Sequence, residues 1–65
     1  MNYHEFRGRR MIDLDIIQTA RQIKALRAAK DHGVKGECFY LMETLKRQTE
    51  PERRRLTKLF IEEVK

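Results

Sequence analysis

The side chains that most often carry out catalysis or bind metals are scarce in this sequence of 65 residues. Its histidines and its one cysteine are His4, His32 and Cys38, which form none of the CxxC or HxxxH pairs typical of zinc sites. The sequence has no serine nucleophile, and its GVKG stretch is a turn rather than a phosphate-binding loop. Cys38 falls on a predicted apolar helix face, which favours a buried, inert thiol. We therefore expect no enzymatic activity, no metal and no cofactor.

Basic side chains are the more informative group. Lysine and arginine number 15 against 10 aspartates and glutamates, which gives a net charge of +5 and an isoelectric point of about 9.8. This balance favours an acidic partner such as nucleic acid. A net positive charge also occurs in proteins in which it serves solubility alone. The leading hypothesis is a small regulatory protein that binds nucleic acid mainly through phosphate contacts.

The candidate phosphate ligands are Arg9, Arg10, Arg54, Arg55 and Lys58. The first two belong to residues 1–11, which show no sustained period and are expected to form a flexible basic arm. Arg54 and Arg55 belong to the run Arg53-Arg54-Arg55 near the start of a helix, and Lys58 follows it. Cations at the start of a helix oppose the helix dipole. Consecutive helical residues point in different directions, so the three arginines cannot all face one partner. In the simpler alternative, Glu50 pairs with Arg54 and the other cations are solvated.

Two aromatic residues, Tyr40 and Phe60, support a competing hypothesis, a helical protein-binding module. They are the candidate anchors of a protein interface with arginines at its rim. Such a module would inhibit a larger protein or act as its adaptor, in the manner of accessory proteins of phages and plasmids. Homodimerisation is a separate expectation, because so small a core leaves apolar residues outside the main helix faces: Leu14, Ile17 and Ile61.

Apolar residues at three- and four-residue steps predict the helices that position these groups. The first helix is predicted over 12–32, with Gly33 as its stop. Its inward face is formed by Ile12, Ile16, Thr19, Ile23 and Leu26. The spacing of Ala29 and Gly33 also fits a helix-turn-helix unit, but an unbroken first helix and two exposed glutamates favour a plain helical hairpin.

The second and third helices are predicted over 37–48 and 50–64. In the second helix the residues predicted to face inward are Cys38, Leu41, Met42 and Leu45. In the third helix they are Leu56, Leu59, Phe60 and Val64. The sequence Thr49-Glu50-Pro51-Glu52 matches a capping box with a proline in the first helical turn.

These elements predict an all-α protein with one compact three-helix domain over 12–65. The lone thiol and the lack of a signal peptide favour a cytoplasmic location. No stretch approaches the roughly 18 apolar residues that cross a membrane.

Overall fold

The computed structural model describes residues 10–65, which form three helices joined by short turns. They are α1 (Met11–Ala28), α2 (Val34–Lys46) and α3 (Glu50–Val64). The predicted all-α, three-helix architecture is confirmed, and the described residues contain no strand. Of the predicted N-terminal arm, only Arg10 and Met11 lie in the described range. Arg10 is the N-cap of α1 and Met11 is its first residue.

The core is centred on α1, which packs against both of the other helices. Its Ile16 and Ile23 meet Leu41 of α2 and Leu56 of α3 in one buried cluster. Because α1 is covered from two sides, its buried face is wider than the predicted stripe. Ile17, expected to lie outside that face, is only 2% exposed. The expectation of a dimer therefore loses one of the residues on which it depended.

The first and third helices run in the same direction. Their contacts keep an almost constant offset in sequence, since the paired residues are Asp13 with Arg55, Arg21 with Glu63, and Lys24 with Lys65. The C-terminal ends of α1 and α3 consequently lie at the same end of the domain. This placement joins basic residues that are far apart in the sequence.

The end of α1 differs from the prediction. The helix stops at Ala28, and Lys30 adopts a left-handed backbone with a φ of 55°. The N–H of Lys30 donates to the carbonyl of Arg27 at 3.1 Å, and that of Asp31 donates to Leu26 at 2.9 Å. This is the Schellman arrangement, in which the position of Lys30 is usually taken by glycine. Gly33, the predicted stop, has a φ of −57° and caps α2 instead.

The second helix begins at Val34, three residues earlier than predicted, and it buries a different face. Leu41 is buried, and Val34 and Leu45 pack against the core beside it. Cys38 and Met42, which were predicted to face inward, are exposed, and 64% of Met42 is accessible. The helix carries two apolar stripes, and packing against α1 and α3 selects the one that contains Val34. The predicted burial of the Cys38 thiol is therefore wrong.

The third helix begins and ends where predicted, and its inward face is confirmed. Leu56 is fully buried, and the partly buried residues beside it are Leu59, Phe60 and Val64. Thr49 is the N-cap and a proline lies in the first turn. However, within the described residues the Thr49 side chain makes no capping hydrogen bond, and the Glu52 carboxylate accepts hydrogen bonds from arginines instead. The capping box thus predicts the helix start but not its hydrogen bonds.

Candidate functional site

Two of the predicted phosphate ligands, Arg10 and Arg55, belong to an internal charge cluster that also contains Asp13 and Glu52. Nη1 and Nη2 of Arg55 donate to the Asp13 carboxylate of α1 at 3.1 and 2.8 Å. Nε and Nη2 of Arg55 donate to Glu52, both at 3.0 Å. Nη2 of Arg10 donates to the same Glu52 carboxylate at 3.1 and 2.9 Å. The charge cluster therefore ties the start of α1 to the first turns of α3.

The electrostatics of the charge cluster favour the ionised forms of Glu52 and Arg55. Hydrogen bonds from Arg55 and then from Arg10 lower the pKa of Glu52 from 4.5 to about 2. Glu52, followed by Asp13, raises the pKa of Arg55 further above its ordinary value. Nearly all the donors of Arg55 are engaged by these two carboxylates. We therefore assign Arg55 to the structure of the domain and do not count it among the groups available to a ligand.

The three consecutive arginines of α3 point in different directions and have different partners. Arg53 reaches back to α2, where Nε donates to the carbonyl of Leu45 and Nη2 to that of Gln48, both at 3.2 Å. The carbonyl of Gln48, just beyond the end of α2, gains a hydrogen bond in this way. The carbonyl of Leu45, which already accepts from the backbone N–H of Gln48 at 3.1 Å, gains a second one. Arg54 donates through Nη2 to Glu50 at 2.7 Å, which is the predicted pair. Sequence spacing did not show the contact of Arg53 with the end of α2, because it depends on the turn between the two helices.

A row of cations lies on the outward face of α3. Arg54 and Lys58 share this face, as their helical spacing indicates, and Lys65 continues it after two further turns. The Arg54 side chain is 79% exposed. The Lys58 and Lys65 side chains have no hydrogen bond or ion pair to any residue of the range 10–65. Arg9, the remaining predicted ligand, lies outside the described residues.

The end of α1 extends this row. Nζ of Lys24 donates to the backbone carbonyl of Lys65 at 2.8 Å, and Arg27 lines a shallow depression with Lys24 and Val64. We name the combined set the cationic track, and its members are Arg54, Lys58, Lys65, Lys24 and Arg27. Sequence reasoning did not join its two halves, because only the parallel packing of α1 and α3 places them side by side. The local signal was the accumulation of basic residues in the last turns of α1.

The two aromatic residues predicted for a protein interface have partners inside the domain. The Tyr40 hydroxyl donates to Oδ2 of Asp15 at 2.7 Å and so links α2 to α1. That hydrogen bond is the main reason why the pKa of Tyr40 is raised above 10.0. Tyr40 nevertheless remains 47% exposed. Phe60 is partly buried and packs against the core cluster, so most of its surface is already used.

A second exposed surface lies on α2. Lys35, Phe39, Met42 and Lys46 follow one another at i, i+4, i+7 and i+11, a spacing that places them in one row along the helix. Phe39 and Met42 are 65% and 64% exposed, and the side chain of Lys46 is 76% exposed. We name these four residues the α2 stripe. Sequence reasoning assigned Met42 to the core and therefore did not recognise this surface.

In the described range, no group of three or more histidine, cysteine, aspartate or glutamate side chains is arranged to hold a metal ion. None of the helices of residues 10–65 is both long and apolar enough to cross a membrane. Comparison with protein families, curated proteins and solved structures produced no match to this chain. The cationic track and the α2 stripe are therefore the candidate functional surfaces of the described residues.

Proposed function

We propose that the protein is a small, non-enzymatic cytoplasmic regulator that binds nucleic acid through phosphate contacts along the cationic track. The supporting observation is that parallel packing of α1 and α3 joins Lys24 and Arg27 to the basic outward face of α3. The helices fix the backbone positions from which these cations extend, which favours phosphate binding over diffuse attraction. Of the predicted ligands, Arg54 and Lys58 are retained.

The dimensions of the cationic track suit a run of phosphates. From Arg54 to Lys65 it rises about 16 Å along α3. A strand of duplex DNA presents roughly five phosphates over that length, at about 3.4 Å each. None of the five track residues is aromatic, so the track offers no ring on which a base could stack. We therefore expect binding that depends on salt and little on sequence, because phosphate contacts carry no sequence information.

Three carboxylates lie in or beside the cationic track, and its five cations outnumber them. Glu62 lies in the same depression as Lys58 and Lys65. Glu50 accepts one hydrogen bond from Arg54, whose remaining guanidinium donors stay available. Such exposed pairs contribute little energy, so a phosphate can replace this carboxylate at small cost. Arg21, which pairs with Glu63 at 3.5 Å, keeps another acidic group occupied beside the track.

A helical protein-binding module is the second candidate function, and the exposed apolar side chains favour it. In the described range five large apolar residues are exposed, namely Met11, Phe39, Tyr40, Met42 and Ile61. Six apolar residues of the same range are buried, five large ones and Ala20, so as many large apolar side chains lie outside as inside. Contiguous exposed apolar surface commonly marks a protein contact.

Fluorescence anisotropy tests the nucleic-acid proposal. A labelled DNA duplex and a labelled RNA are each titrated with the protein at two salt concentrations, and affinity should fall steeply with salt. The K58A/K65A variant removes two track cations and should bind more weakly. Its slope of log K against log salt should decrease by about 1.8 on duplex DNA. The matched control is K35A/K46A, which loses the same charge outside the track and should keep nearly the wild-type slope.

Two results would refute the proposal. If neither nucleic acid binds at low salt, the basic charge serves solubility alone. If K58A/K65A and K35A/K46A lose affinity equally, only the total charge matters and the cationic track has no special role.

A further inference from the structure

We propose that the α2 stripe docks an amphipathic helix of another protein, one that carries carboxylates on both sides of an apolar centre. This surface goes beyond the nucleic-acid proposal, because it shares no residue with the cationic track. The inference combines three observations: an outward apolar pair, a cation at each end of it, and a helix that the domain holds firmly from its inner side.

The apolar pair and its flanking cations form a symmetrical pattern. Phe39 and Met42 lie at the centre of the α2 stripe, about two-thirds exposed. Lys35 precedes Phe39 by four residues, and Lys46 follows Met42 by four. The two lysines lie about 16 Å apart along the helix. A partner helix with apolar residues at its middle and a carboxylate near each end matches this pattern in both shape and charge.

The acidic groups of α2 leave the flanking lysines available. Oε1 of Glu43 lies 3.8 Å from Nζ of Lys46, which is close to the limit of ion pairing. Lys35 has no ion pair within the described part of the chain. Exposed pairs of this kind are worth little, so a carboxylate of the partner competes readily for Lys46.

The inner side of α2 is anchored to the rest of the domain. Leu41 is buried in the core cluster, and the Tyr40 hydroxyl donates to Asp15. Arg53 of α3 donates to the carbonyl of Leu45 and to that of Gln48 just after the helix. The α2 stripe is therefore presented on a helix that needs no reordering before it binds. Such preorganisation reduces the entropy lost on binding.

A second copy of this chain is the poorer occupant of the same surface. In an antiparallel two-fold arrangement centred on the apolar pair, Lys35 of one copy would face Lys46 of the other. In a parallel arrangement each lysine would face its own equivalent. Both arrangements oppose like charges at both ends of the contact, which disfavours self-association. The charge pattern thus selects an acidic partner.

Synthetic helical peptides of roughly 20 residues, long enough to form helix in isolation, test this assignment. The acidic peptide carries Glu, Leu, Leu and Glu at i, i+4, i+7 and i+11 on an alanine and glutamine background. The basic peptide has lysine in place of both glutamates. Isothermal titration should show that wild-type protein binds the acidic peptide at least tenfold more tightly than the basic one.

Variants of the α2 stripe provide the matched comparisons. K35E/K46E should reverse the preference between the two peptides, and F39A/M42A should lose binding to both. R47E reverses one charge at the C-cap of α2, outside the α2 stripe and with half the charge change of K35E/K46E, and it should keep the wild-type preference. All these positions are exposed, so circular dichroism of each variant should match that of the wild type.

Several outcomes would overturn the assignment. One is that wild-type protein binds neither peptide at millimolar concentration. Another is that K35E/K46E shifts the free-energy preference only about twice as much as R47E, in proportion to its change in charge, which would make the attraction one of total charge. A dimer mass in light scattering that F39A/M42A reduces to a monomer mass would assign the α2 stripe to self-association. Loss of nucleic-acid affinity in F39A/M42A would assign it to nucleic-acid binding instead.

Discussion

Replacing Lys30 by glycine should stabilise the protein, because Lys30 ends α1 in a left-handed backbone conformation. Its φ is 55°, and a residue with a Cβ atom loses about 1–2 kcal/mol in that region. Glycine avoids this loss, but its greater freedom in the unfolded chain offsets about 0.4–1 kcal/mol of the gain. The expected net increase in the free energy of unfolding is about 0.5–1 kcal/mol. For a domain of this size, that raises the Tm by about 2–8 °C.

Thermal unfolding followed by far-UV circular dichroism measures this change, and two controls separate its causes. K30A removes the same charge but keeps a Cβ atom, so its Tm should stay close to that of the wild type. A29G places glycine at the C-cap, where φ is −84° and alanine is unstrained, and it should lower stability by about 0.5–1 kcal/mol. If K30G melts below K30A, Lys30 does not hold the left-handed position and the inferred end of α1 is wrong.

The remaining predictions concern two side chains that connect the helices. Because the pKa of Glu52 is lowered to about 2, its contribution to stability is complete above its ordinary pKa of 4.5 and is lost as the pH falls towards 2. When the pH is lowered from 4.5 to 2, the free energy of unfolding measured with urea should therefore fall less in E52Q than in the wild type. Equal losses in the two proteins would contradict the role of the charge cluster. R53A should lower the free energy of unfolding by about 0.5–1.5 kcal/mol, because it removes two exposed hydrogen bonds that join α3 to the end of α2 and the turn after it. R54A breaks only a solvated ion pair within α3 and should lower the free energy of unfolding by less than about 0.5 kcal/mol. Equal losses for R53A and R54A in urea unfolding would contradict the role of Arg53 at the end of α2.

The sequence predicted the third helix best because its local signals agree with one another. Thr49 and the proline after Glu50 mark the start, and the apolar residues from Leu56 to Val64 form a single stripe. Where two local signals competed, the prediction failed. Gly33 is the usual kind of residue to end a helix, yet the chain turns at Lys30. Because helix ends depend on the packing of the turn, a favourable residue nearby does not determine them.

The second helix shows why one apolar pattern is not sufficient to define a buried face. Leu41 and Leu45 can be grouped with Val34, or with Cys38 and Met42, and both groupings have helical spacing. Only the position of α2 against the other two helices decides between them. The same ambiguity hid the α2 stripe, since an apolar residue assigned to the core is not considered as part of a binding surface.

The charge of the chain shows a related limit, because partners distant in sequence decide which cations are available. Asp13 and Arg55 are 42 positions apart, so no local spacing indicates that they pair. The net charge of +5 thus counts arginines that hold the helices together alongside lysines that face solvent. Within the described residues the structure separates the two groups: Arg10, Arg53 and Arg55 join elements of the fold, whereas Lys58 and Lys65 have no acidic partner. Mutations in the first group should change stability before they change binding, and mutations in the second should change binding while the fold persists.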